Sequence, residues 1–204
     1  MDSKNLLQKQ QCLQGLKQQG ASLIVVLILM VVIAGIGISA VQISIMSERG
    51  ARNDRDYQIA WQASEAALVD SEYDMRGPGT ATRKDFFIPN DNYNFVRDCS
   101  MSGQNKGLCL ANESGIPTWL AVDFGSEKSP SVEFGDFTER KFDAGSLGIK
   151  PIRKPRYVIE SILDTGTYGN AAYGADINYT YRVTAIGFGP REDIQAVTQI
   201  LFRK

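Results

Sequence analysis

Histidine is absent from this chain, and cysteine occurs only three times. Without histidine there are no Ser-His or Cys-His catalytic pairs and no zinc site that uses imidazole. Three cysteines are also too few for a four-thiolate metal site. The net charge is -1. The portion beyond the N-terminal helix holds no basic block, which argues against nucleic acid as a principal partner. No Asp, Glu, Lys or Arg lies between Ala21 and Ser47, and no proline lies between Met1 and Gly77. The first gap leaves a long stretch with no charge to keep it in water, and the second leaves nothing to break a helix.

That uncharged stretch is an apolar run, Ala21-Ser22-Leu23-Ile24-Val25-Val26-Leu27-Ile28-Leu29-Met30-Val31-Val32-Ile33-Ala34, preceded by a polar leader that ends at Gly20. A helix needs roughly 20 such residues, at about 1.5 Å each, to cross a hydrocarbon core. A secretory signal would have a shorter core with small residues after it. Here the Gly20–Ala21 junction comes before the run, so the sequence predicts a membrane helix. Lys4, Lys9 and Lys17 precede it and favour an N-inside orientation. Arg49, Arg52 and Arg55 follow it but alternate with Glu48, Asp54 and Asp56. That alternation reads as a solvated helix face, or as one that pairs with neighbouring helices.

Helical spacing continues beyond Ser47. Tyr57, Ala60, Trp61, Ser64, Ala67, Leu68 and Ser71 recur at three- and four-residue steps, with Asp54, Asp56, Gln62, Glu65, Asp70 and Glu72 around them. The pattern predicts one helix from 21 to about 75, roughly 80 Å long, ended by Gly77-Pro78-Gly79. Gly35 and Gly37 lack the spacing of a small-residue dimer face. Tyr57 and Trp61 are expected in the core. From 80 to 155 the signals are irregular and read as loops with a few short strands. Three strands are then predicted at 156–163, 178–188 and 194–202, with a turn at Gly189-Pro190-Arg191-Glu192-Asp193. They form an antiparallel meander, covered on its apolar face by the amphipathic half of the helix.

Cys12 sits in the leader, while Cys99 and Cys109 bracket a polar loop. In an oxidising compartment that pair reads as a disulfide closing a short loop; in a reducing one it is two thiols.

The segments Gln19-Gly20-Ala21-Ser22-Leu23-Ile24-Val25-Val26-Leu27, 53–68, 154–160 and 181–185 resemble type IV pilins, and among them the PilX/PilK minor pilins. The fold implied is α+β: a long N-terminal helical spine on a C-terminal antiparallel sheet. The domains expected are a prepilin leader at 1–20, the helix at 21–76 and a periplasmic globular domain at 77–204. Within the helix, 21–46 is the membrane and filament-core half and 47–76 the amphipathic half. The resemblance further implies cleavage by a prepilin peptidase between Gly20 and Ala21, and N-methylation of Ala21. The implied partners are other minor pilins, the major pilin, the inner membrane and a possible tip adhesin. No catalytic activity and no cofactor are implied. Val25, the fifth residue after the junction, stands where major pilins carry a glutamate. The tip pseudopilin of type II secretion lacks the same carboxylate, so a tip position is expected.

Weaker signals have plainer readings. Asn112-Glu113-Ser114 and Asn178-Tyr179-Thr180 match a short, common glycosylation pattern. Asp164-Thr165-Gly166-Thr167 and Gly174-Ala175-Asp176 contain oxygen ligands suited to Ca²⁺, but their composition is that of turns. Rival readings of the whole are a type II secretion pseudopilin and a membrane-anchored periplasmic enzyme or binding domain.

Overall fold

The computed structural model describes residues 21–80, 82–145, 147–164 and 178–203. The chain divides into two units, Met1–Ala51 and Arg52–Lys204. Helix α1, Ala21–Arg76, contributes to both. In the first unit the large apolar side chains from Leu23 to Met46 are exposed around the helix, which is long and apolar enough to cross a membrane. Ser39 donates its hydroxyl to the Gly35 carbonyl at 3.0 Å, so this polar group is satisfied within the helix.

The second unit is built on a sheet. Its strands are β1 (Leu108–Leu110), β2 (Val132–Glu133), β3 (Arg156–Leu163), β4 (Tyr179–Phe188) and β5 (Gln195–Phe202). β3, β4 and β5 form the antiparallel meander, in the register Ile159↔Val183 and Val183↔Ile200. β1 runs parallel to β3, and β2 pairs antiparallel with it; both occupy the edge away from β4. A four-residue helix, α2 (Thr118–Ala121), lies between β1 and β2.

The second half of α1 covers one face of the sheet. Ala60, Ala63, Ser64, Ala67, Ser71 and Met75 are buried, and most are small enough for a close approach. The approach is tightest at Gly187. A Cβ there would collide with the Ala60 carbonyl oxygen and the Ser64 amide, and would meet the Ala63 carbonyl carbon at 3.0 Å. Ser64 and Ser71 return their hydroxyls to the carbonyls of Trp61 and Leu68, at 2.7 and 2.6 Å. α1 ends as its spacing predicts, with the Gly77 amide donating to the Tyr73 carbonyl at 2.6 Å.

Tyr157, Ile159, Tyr181, Val183 and Ala185 face α1 in the main core, where Phe87, Phe95 and Tyr181 pack ring against ring. Val158, Ile186 and Phe188 point the other way, onto Phe124, Cys99 and Cys109. Burial on both faces gives β4 its nearly continuous run of buried positions.

Two expectations are corrected. Tyr57 and Trp61 are about half exposed rather than in the core. Asp70, expected among the outward polar positions, is fully buried.

Candidate functional site

Gly20 lies outside the described residues, so the structure does not describe the predicted scissile bond. Ala21 is the first residue of α1, and Val25 lies about one turn further on, 54% exposed among Ile24, Val26, Leu27 and Ile28. A helix that is apolar all round belongs in lipid or among other helices. This stretch has no carboxylate with which to meet a charged amine.

The other end of α1 is held by buried charge. Asp70 and Asp74, four residues apart, lie on one face of the helix, and both are fully buried. Arg83 grips Asp74 through Nε, at 3.0 and 3.1 Å from the two carboxylate oxygens, and through Nη2. Its Nη1 donates to the carbonyls of Gln104 and Lys106 at 3.1 and 2.6 Å, and its guanidinium stacks over Phe137. Tyr157 on β3 donates its hydroxyl to Asp74 Oδ2 at 3.0 Å. Burial, with the nearby Asp74 charge adding to it, pushes the Tyr157 phenol well up. That phenol therefore stays a donor at any physiological pH. One arginine thus ties the last turns of α1 to the loop that precedes β1.

Asp70 holds a second loop. It accepts from the Gly135 amide at 2.9 Å and from the Thr138 hydroxyl, with Arg140 Nη1 at 3.5 Å. Burial raises its carboxyl above the usual 3.8, against the lowering pull of Thr138, Gly135 and Arg140. Gly135 must be glycine. Its φ is 90°, and a Cβ would collide with the Arg140 carbonyl. On the far side of the sheet Arg182 forks onto buried Glu160 at 2.8 and 3.0 Å, across neighbouring strands. None of these ion pairs was legible in the sequence. Their partners lie 9 to 70 residues apart, and periodicity carries no sign of a pairing at such range.

Cys99 and Cys109 are joined, with Cα atoms 4.2 Å apart and both residues buried. Beside them a groove of about 280 Å³ is lined by apolar Trp119, Val122, Phe124, Ile186 and Val197 and by polar Asp123 and Gln195. Among the described residues no three His, Cys, Asp or Glu side chains gather as a metal site. Asp164 takes a hydrogen bond from Thr180 at 3.2 Å and pairs with Arg203 at 3.0 Å. Residues 165–167 and 174–176, the rest of the expected Ca²⁺ loops, lie outside the described residues.

Two family models match the chain. One, described as PilX N-terminal, covers residues 19–69. The other, described as Type IV pilus assembly protein PilX C-term, covers residues 105–204. No curated protein and no solved structure matches.

Proposed function

Since the chain belongs to the PilX family of type IV pilus assembly proteins, we propose that this minor pilin works at the filament tip, where it primes or caps assembly. Membership makes it a structural pilin that acts with other pilus components and is anchored in the membrane by one helix. The proposal adds position and processing. The leader 1–20 stays in the cytoplasm until a prepilin peptidase cuts after Gly20 and Ala21 is methylated. Residues 77–204 fold in the periplasm, an oxidising compartment that suits the Cys99–Cys109 bond. The spine then leaves the inner membrane to pack among the helices of other minor pilins and the major pilin, with a tip adhesin as a further partner. No step calls for catalysis by this chain.

The tip position rests on Val25. A buried amine left unpaired in an apolar core is costly, so a subunit that offers a carboxylate to the amine of the subunit ahead gains from that addition. A subunit with valine there has nothing to offer, and is best tolerated where no subunit lies ahead.

Two measurements test this reading. The N-terminal residue and mass of membrane-extracted protein, with and without the peptidase, should show methylated Ala21 only when the enzyme is present. An intact Met1, or cleavage beyond the apolar run, would sink the processing scheme. Gold label on purified pili should cluster at one end; even labelling along the filament would remove the tip position.

A further inference from the structure

The two edges of the sheet are treated differently. On the β3 side the backbone is covered. Ile159 donates its amide to the Gly107 carbonyl at 2.8 Å, and Ala111 donates to the Ser161 carbonyl at 3.2 Å. The outer side of β1 is in turn bonded to Val96, whose carbonyl accepts from the Leu110 amide at 2.9 Å. β5 pairs only with β4 among the described strands. The bond from the Gly189 amide to the Ile194 carbonyl, at 2.8 Å, sets the phase of that ladder. With Gly187↔Ala196, Ala185↔Thr198 and Val183↔Ile200 in register, the even-numbered residues of β5 bond to β4. The amides and carbonyls of Gln195, Val197, Gln199 and Leu201 therefore point away from the sheet.

Exposed edges are ordinarily blunted by lysine, proline, a bulge or a short strand. β5 has none of these across eight uncharged residues, Gln195-Ala196-Val197-Thr198-Gln199-Ile200-Leu201-Phe202. Its outer face alternates polar and apolar side chains, Gln195, Val197, Gln199 and Leu201. Its helix face carries Ala196, Thr198, Ile200 and Phe202, and both faces are partly open. On the outer face Val197 and Leu201 are 44% and 65% exposed, and Val197 borders the groove beside Trp119 and Ile186. On the helix face Ile200 is 47% exposed. Ala60 of α1 packs there on Ile194 and Ala196, and the next residue, Trp61, is left 45% exposed. Among the described residues nothing pairs with this row of amides and carbonyls, and water solvates it in the free subunit. An added extended backbone can satisfy it in register, and the eight uncharged side chains of β5 suit an uncharged partner segment.

We propose that β5 is a docking edge that receives one extended, uncharged segment of another pilus component as an added strand. Its backbone pairs with Gln195, Val197, Gln199 and Leu201, while its alternate side chains enter the outer groove and the seam beside α1. This rests on the reading of the chain as a minor pilin: a subunit present in few copies meets other components rather than itself.

The test places a photoreactive side chain at Gln199 of the full chain in piliated cells, with Tyr93, 86% exposed and outside the sheet, as the control position. Crosslinks from Gln199 should map to one contiguous segment of another pilus component and be absent from Tyr93. Val197→Pro removes an outward amide but no β4–β5 bond, and Ile200→Lys puts a charge on the edge; each should lower the crosslink yield about tenfold. Urea unfolding of each variant in detergent confirms that it still folds, so two variants keep the result readable if one does not. Crosslinks to a second copy, yields equal to those at Tyr93, or yields unmoved by a folded variant would overturn the proposal. The N-terminal mass is read from the same cells. An unprocessed chain overturns the minor-pilin reading and this occupant with it, whereas a processed chain with no edge-specific crosslink overturns only the docking edge.

Discussion

Arg83 and Asp74 are both buried, so neither charge has water to solvate it if the other is removed. Breaking such a pair from one side costs about 3–5 kcal/mol. Arg83→Met also strips donors from the Gln104 and Lys106 carbonyls, so urea unfolding followed by the fluorescence of Trp61 and Trp119 should show a loss in that range. The double variant Arg83→Met with Asp74→Leu should be more stable than Arg83→Met alone, because no bare charge remains. If the two variants unfold at the same urea concentration, the pair is not the anchor described. Asp70 makes a different demand. Its carboxyl is raised by burial above the ordinary 3.8, so the folded chain binds that proton more tightly than the unfolded chain does. The stability it contributes is present in full below that ordinary value and is lost as pH rises through the raised one. Asp70→Asn removes this loss, and the Thr138 hydroxyl can turn to accept from the new amide. The wild-type stability minus that of the variant should fall as pH rises from about 3.8 toward neutral; a flat difference would contradict the assignment.

At the scale of elements, the approach of α1 to β4 is set by a missing side chain. Gly187→Ala would put a methyl group into the backbone of Ala60 and Ser64, where no rotamer change can relieve it. Overpacking of this kind costs about 1–3 kcal/mol. The loss should be visible in thermal unfolding by circular dichroism, while Gly35→Ala, with open space around it, should leave this unit's midpoint unchanged. The elements that were legible owe it to period. Alternation through Tyr179, Tyr181, Val183 and Ala185 marked β4 to within a residue, and the Ala-rich helical spacing marked the face of α1 that meets it. β1 and β2, of three and two residues, are too short to show any period. Trp61 and Asp70 were misplaced for opposite reasons. An aromatic on a helical stripe normally seeks the core, but the seam beside β5 stays open. A carboxylate normally seeks water, but the Gly135 amide and the Thr138 hydroxyl replace that water.

For the whole molecule, the question is how one chain serves as both a membrane anchor and a filament subunit. The apolar half of α1 is as comfortable in lipid as among other helices, so hydrophobicity alone sets no direction or order of addition. A charge inside that apolar environment does set order, because it is tolerated only where an opposite charge waits. Val25→Glu therefore tests the tip proposal directly. In the membrane the new carboxylate sits about one turn from Ala21, whose amine the proposed cleavage would free, and stays near the interface, so insertion and that cleavage should be unaffected. In the filament it lets this subunit answer the amine of a subunit ahead. Gold label should then spread from one end of purified pili along their length, with more copies per pilus. Val25→Leu, which changes shape but not charge, should leave the label at the end. Label still confined to the end in Val25→Glu would mean that the missing carboxylate does not hold this chain at the tip, and that its position is set instead by contacts of the globular unit.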